Sequence, residues 1–262
     1  MTAQGPDWGV GSRFYLPNED AGVVCVALRC LHRRARRPVF VGGSGMTLLE
    51  AAATLPRLQH AAFVDVADFQ FEYFRLLLRA LACCASPGEL QAWFAETVYP
   101  ELRRHHQARG RTYGLDLVLE ALRHTFRLSF FFDAAAFTQA QAVAGRIVAA
   151  RADIASYLAA TQETHDFIYL SNVPDYLDRD ALTALFAACR RHDAPVYLLA
   201  TRACAAPDAV RETWEAAGYA PHAASTRLNA QNRGLGSPHL VRPWNRPGTI
   251  HLLVPHEKRS IP

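Results

Sequence analysis

Apolar positions along the chain follow two alternating rhythms. Pro38-Val39-Phe40-Val41 and Ala61-Ala62-Phe63-Val64 are short continuous apolar runs bounded by Pro, Gly or Asp, the pattern of strands buried on both faces. Residues 46–55 (MTLLEAAATL) are rich in strong helix formers and stop at Pro56, and 69–84 (FQFEYFRLLLRALACC) follows as a second helix. An earlier stretch, 19–32, carries apolar residues at helical spacing and predicts a helix ahead of the first strand. Strand, helix, strand, helix at these lengths predicts parallel strands joined by right-handed crossovers.

The alternation then pauses. Ser86 is a good N-cap and opens a predicted helix running to about residue 106; a second spans about 114–127 and leads into Ser129-Phe130-Phe131-Phe132. No strand is predicted between about 85 and 145. The rhythm resumes with a strand in 145–154 ending at Asp153, a short helix, and a strand in 166–177 that ends in a polar loop. A helix over 180–192, a strand over 195–202, a helix over 207–218 and two last strands at 219–228 and 249–255 complete the chain. The expected fold is α/β: one doubly wound, mostly parallel, seven-stranded Rossmann-like sheet, with a helical insertion at 85–145 after the second strand and an N-terminal helical or lid segment at 1–37.

Composition changes this picture little. Half of the 262 residues are hydrophobic, a fifth are charged and the formal charge is +4, which gives no argument for nucleic acid as a partner. The densest basic run, His32 to Pro38, reads as the solvated C-terminal end of a helix, where Arg also favours the macrodipole. Six scattered cysteines without a CxxC pair read as reduced thiols of a cytoplasmic protein, and the eleven histidines show no metal-ligand spacing. The N-terminus has no apolar signal region, and no stretch approaches the roughly 18 apolar residues of a membrane span. Oligomeric state is not legible.

Chemistry enters at the strand ends. In such sheets ligands bind outside the carboxyl ends of the strands. Gly43-Ser44-Gly45 follows the first strand, where backbone can approach a ligand and the next helix offers free N–H groups. Asp65 ends the second strand, placed to accept two ribose hydroxyls; together they point to a nucleoside-containing ligand. Asp153-Ile154 ends the third strand, where a polar group can accept the adenine amine and an apolar one cover the ring. Ser171-Asn172-Val173-Pro174-Asp175-Tyr176 ends the fourth, where reacting atoms would lie. Each position also has a plain structural use: Asp153 would cap a helix and Asn172 would satisfy a turn.

The order strand–GGSG–helix, strand–Asp65, strand–Asp153, strand–SNVPDY resembles the class I S-adenosylmethionine-dependent transferase fold from about residue 20 to 255. A full GxGxxG is absent, since position 48 is Leu, and no P-loop Gly-Lys-Ser/Thr follows. Val41 stands where methyltransferases of this fold usually carry an acid. With the SNVPDY ending and the helical insertion, the chain looks more like the 3-amino-3-carboxypropyl transferase branch, which includes betaine-lipid synthases, nicotianamine synthases and enzymes closing S-adenosylmethionine to azetidine-2-carboxylate.

The resemblance implies a small-molecule substrate, S-adenosylmethionine, and no metal. It implies attack at the methionine Cγ with release of methylthioadenosine, by self-cyclisation or by transfer to a small acceptor. A methyltransferase acting on a small molecule and a non-catalytic S-adenosylmethionine-binding protein are the alternatives, Val41 favouring the last. In the expected roles, Gly43, Ser44 and Gly45 hold the methionine part, Asp65 the ribose, and Asp153 and Ile154 the adenine. Ser171 and Asn172 direct the amine, Tyr176 places a ring against the sulfonium, and Tyr15 closes over the site. The insertion aromatics (Trp93, Phe94, Tyr99, Phe126 and Phe130–Phe132) would exclude water or simply attach the insertion to the sheet.

Overall fold

The apolar runs become strands where they can be covered on both faces. In a computed structural model that describes residues 14–17, 19–31, 35–55, 57–201, 207–234 and 248–256, seven strands form one sheet. They are β1 (Pro38–Val41), β2 (Ala61–Asp65), β3 (Ile147–Arg151), β4 (Phe167–Ser171), β5 (Val196–Thr201), β6 (Tyr219–Pro221) and β7 (Gly248–Pro255), in the order β3-β2-β1-β4-β5-β7-β6. β1 pairs in parallel with both β2 and β4, so the strand order reverses between β1 and β4, and β7 runs antiparallel to both β5 and β6. The fold is α/β, a doubly wound, mostly parallel, Rossmann-like sheet.

Alternate residues of each central strand serve opposite faces. Phe40 and Phe63 join a core with helices α1 (Ala21–Cys30), α2 (Met46–Thr54) and α3 (Asp68–Cys83). Val39, Ala62 and Ile168 join the other, with α8 (Ile154–Ala160), α9 (Arg179–Arg191) and α10 (Pro207–Ala216). Burial on both faces is what makes these strands continuously apolar.

The insertion is helical: α4 (Pro87–Trp93), α5 (Tyr99–Gln107), α6 (Leu115–Glu120) and α7 (Ala134–Ala144), with two π-helical turns at Phe94–Val98 and Ala121–Thr125. The first π turn has a covalent cause. Pro100 has no N–H to give, and the Tyr99 N–H bonds back five residues to the Phe94 carbonyl, so the predicted unbroken helix is relaxed just before the proline. Phe94, Phe126, Phe130 and Phe131 are fully buried in the same core as Phe40 and Phe63.

Three expectations need correction. The strand expected over 219–228 ends at Pro221, and α11 (Ala224–Gly234) follows, its Asn229 side chain pairing with both backbone groups of Ile250 at 2.8 Å. Proline removes a ladder donor and the Ala-containing stretch beyond it favours helix. β3 stops at Arg151, two residues short of Asp153. The basic run does not end a helix at Arg36 and Arg37: α1 stops at Cys30, and these two residues turn into β1 with their N–H groups on the Asp166 carboxylate, at 2.7 and 2.9 Å. Residues 32–34 lie outside the described residues. No helix among the described residues is long and apolar enough to cross a membrane.

Candidate functional site

The reversal of strand order between β1 and β4 opens a crevice at their carboxyl ends, and a cavity of about 280 Å³ lies there. Gly43, Ser44, Gly45, Asp65, Asp153, Ile154, Ser171, Asn172 and Tyr176 all line it. Four separate strand ends, from residue 43 to residue 176, thus share one space.

The first strand end is shaped by two glycines. The Gly42 N–H continues the β1–β2 ladder to the Val64 carbonyl at 2.7 Å, and a Cβ on Gly42 would stand 1.4 Å from the Asp65 carboxylate. Gly42 therefore admits Asp65, a role the sequence reading did not assign. Gly45 has φ +74°, and a Cβ there would meet the Phe74 ring at 2.0 Å; it starts α2 in a left-handed conformation that glycine adopts without strain. Ser44 is buried, its hydroxyl accepting the Met46 N–H at 3.3 Å.

Asp65 is held from below by the backbone. Its carboxylate accepts the Gly43 N–H at 3.1 Å and the Ala67 N–H at 2.8 Å. Burial pushes its pKa up, opposed by the amides of Ala67, Gly43 and Val66. A carboxylate offers about four lone-pair directions, so two backbone bonds leave capacity for a diol. Asp153 is exposed and caps α8 through the Ser156 N–H at 2.8 Å, while Ile154 beside it is buried and apolar. Cap and cavity wall are compatible uses of one residue.

The fourth strand end is the strained one. Ser171 has φ +50°, unusual for a residue with a Cβ, and the β4–β5 register slips between Tyr169 and Ser171. Such a backbone is held by its surroundings at a cost of about 1–3 kcal/mol. Asn172, 5 % exposed, gives an amide N–H to the Tyr176 hydroxyl at 2.8 Å. Asp175 points the other way, accepting the Thr201 N–H at 3.1 Å and the Thr201 hydroxyl, and so ties this turn to the end of β5.

One expected contribution falls elsewhere. Tyr15 does not line the cavity: its ring is 4 % exposed and packs edge-on against Phe69 at 5.2 Å and Tyr73 at 5.7 Å. Its neighbours Phe14 and Pro17 face the cavity instead. Gln70, buried on α3, anchors that segment by exchanging hydrogen bonds with the backbone of Phe14 (2.8 and 3.0 Å) while also donating to the Gly43 carbonyl. Of the two uses open to the insertion aromatics, the second holds: none lines the cavity, and they attach the insertion to the core.

A buried acid absent from the sequence reading lies behind this end of the site. Glu19, 2 % exposed, accepts the hydroxyls of Tyr169 and of Tyr197, the latter at 2.8 Å. Desolvation raises its pKa, against the bonds from Tyr169, Tyr197 and Ser171. An acid two residues beyond Pro17 carries no periodic signal; only the alternation that turns Tyr169 and Tyr197 to the same face of β4 and β5 hints at a shared partner. Among the described residues no group of three or more His, Cys, Asp or Glu could hold a metal ion.

No protein-family model matches the chain and no curated protein matches it. Solved structures align with it over most of its length. The magnesium protoporphyrin IX methyltransferase ChlM of Synechocystis PCC 6803, with bound S-adenosylmethionine, aligns at TM-score 0.46 and 10% identity over 90% of this chain and 78% of that one. A SAM-dependent methyltransferase of Archaeoglobus fulgidus aligns at TM-score 0.42 and 11% identity, over 90% and 95%. The [4+2]-cyclase SpnF aligns at 0.45 and 11%, over 90% and 80%. At these scores and identities the likeness assigns this chain no role.

Proposed function

We propose that the chain takes S-adenosylmethionine as substrate and directs a nucleophile to the methionine Cγ, releasing methylthioadenosine. The nucleophile is the substrate's own amine, giving azetidine-2-carboxylate, or a small acceptor that receives the 3-amino-3-carboxypropyl group. One observation carries this reading: the glycine turn, Asp65, Asp153-Ile154 and Ser171-Asn172-Tyr176 line a single cavity at the point where strand order reverses.

In this reading Asp65 holds the ribose diol and Ile154 covers the adenine, with Asp153 at its edge. The turn at 43–45 receives the methionine part. The sulfonium activates every carbon bonded to sulfur, so the outcome depends on which carbon faces the nucleophile. For ring closure the ammonium first loses a proton to solvent; a free α-amino group titrates near ~8, so modest desolvation suffices. Its lone pair then forms the N–Cγ bond while the Cγ–S pair returns to sulfur, leaving a neutral thioether and an azetidinium. Asn172, held by its bond to Tyr176, and Ser171 orient the amine, and the Tyr176 ring faces the cation. No His, Cys or Lys is among the described residues lining the cavity, which agrees with a reaction that needs no side-chain nucleophile.

Incubation with S-adenosylmethionine alone tests the proposal. Methylthioadenosine formed with the azetidine acid supports ring closure, and methylthioadenosine formed only with an added acceptor supports transfer. Adenosylhomocysteine formed only with an acceptor overturns it in favour of methyl transfer. Tight binding with no product, with or without acceptors, overturns it in favour of a binding protein.

A further inference from the structure

Glu19 stands out among the buried groups that the proposed reaction does not use. It lies on the segment before α1, yet its carboxylate is taken up beneath β4 and β5, 150 and 178 residues away, by the phenols of Tyr169 and Tyr197. Both oxygens are bonded, one to each hydroxyl, and neither meets a cation: Glu19 forms no ion pair with a described residue. The Arg127 guanidinium pairs instead with the adjacent Asp20, at 2.8 Å. A carboxylate withdrawn from water without a counterion is costly unless something supplies the positive charge.

What could supply it is on the other side of Tyr169. That residue lines the cavity, as do Ser171 and Thr47. Because the Tyr169 hydroxyl donates inward to Glu19, its oxygen gains negative character, and that oxygen belongs to a residue of the cavity wall. Thr47 lies in the first turn of α2 and Ser171 ends β4, so this relay from Glu19 through Tyr169 reaches the cavity that both strand ends line. Val41, the last residue of β1, gives the cavity an apolar wall there. A charge at this end of the cavity can therefore come from the N-terminal segment.

We infer that Glu19, acting through Tyr169, is a specificity-determining positioning residue that makes the cavity favour a cationic sulfonium over the matching neutral thioether. This deepens the proposed function and rests on its adenosyl ligand. A substrate that carries its charge in and leaves as an uncharged thioether would bind firmly and be released readily.

The test compares dissociation constants of S-adenosylmethionine and adenosylhomocysteine, which differ in the methyl group and its charge, for the full chain and three variants. In Glu19→Gln the preference for the sulfonium should fall at least about tenfold, through weaker S-adenosylmethionine binding, with adenosylhomocysteine changed less than about twofold. Tyr169→Phe, which cuts the relay and leaves the carboxylate in place, should reduce the same ratio; Tyr197→Phe should not. If Glu19→Gln fails to fold, the two tyrosine variants decide. An unchanged ratio in Glu19→Gln or Tyr169→Phe, or equal loss of both ligands, overturns the inference while the adenosyl reading stands. Wild-type protein that binds neither ligand overturns both.

Discussion

Two buried glutamates, Glu19 and Glu50, show how one chemical group serves two ends. Glu50, on α2, is 3 % exposed and takes the Ser129 hydroxyl at 2.6 Å and the Phe130 N–H at 3.2 Å. Its donors belong to the insertion, and Asp20 reinforces the same junction through Arg127. Glu19, equally buried, bonds two phenols, one of which forms a wall of the cavity. Burial raises the pKa of both. The difference lies in what completes each site: Glu50 is satisfied by the fold and latches the insertion, whereas Glu19 retains a path to an external cation.

The widest separation between the two regions should come from Phe130→Ala. The ring is fully buried beside the Glu50 junction, so its removal should lower stability by about 3–5 kcal/mol. Binding of S-adenosylmethionine by the folded fraction should stay unchanged; denaturant unfolding with calorimetric titration reads both, and a parallel loss of binding would show that the insertion shapes the cavity. Asn172→Ala should do the reverse, lowering turnover roughly 100-fold by removing an oriented amide near the reacting centre. Its dissociation constant should move less than about threefold, and full activity in single-turnover assays would remove Asn172 from the chemistry.

Glu50→Ala should destabilise by about 1–3 kcal/mol, since it leaves the Ser129 hydroxyl and Phe130 N–H without their acceptor. Ligand preference should be intact, in contrast to Glu19→Gln. Asp65→Ala should weaken any adenosyl ligand roughly tenfold by the loss of hydrogen bonds to a charged acceptor. Unchanged affinity would discredit the ribose assignment.

The smallest effect is a pH slope. Because both glutamates have raised values in the fold, each contributes stability below the ordinary value near 4.5 that is lost as pH rises through its raised value. Glu19 is faced by the Tyr169 and Tyr197 phenols, the Ser171 hydroxyl and the Asp20 carboxylate; Glu50 by Ser129, the Phe130 amide and, through space, Arg127. Melting temperature should therefore decline across this window, less steeply in either Gln variant. Saturating S-adenosylmethionine should flatten the part that Glu19→Gln removes and leave the Glu50 part. A ligand effect that persists fully in Glu19→Gln would break the contrast between the two acids.

Much of the cavity could be read from the chain because its residues sit at strand ends. In a parallel sheet every strand exposes the same end, so residues just after apolar runs gather on one edge whatever the loops do. That logic reaches Gly43, Asp65, Asp153 and Asn172. It fails for irregular segments, where no period says which side chain turns inward: Tyr15 was expected over the site, and Phe14 and Pro17 are there instead. Gly42 was overlooked because its need is steric, set by an aspartate 23 positions later. Pro100 was visible, but a long helix can absorb a proline by loosening one turn, and periodicity does not register that.

What the sequence alone determined about this protein is its order of strands and helices and the set of polar residues at their ends, because these follow from local burial patterns and chain connectivity. Only the tertiary structure decided that Glu19 lies under Tyr169 and Tyr197, that Glu50 fastens the insertion, and that the insertion's aromatics face the core. Those contacts join residues about 80 to 180 positions apart. Their partners are chosen by which groups remain unsatisfied when the sheet and helices close, a condition that exists only once the whole chain is packed.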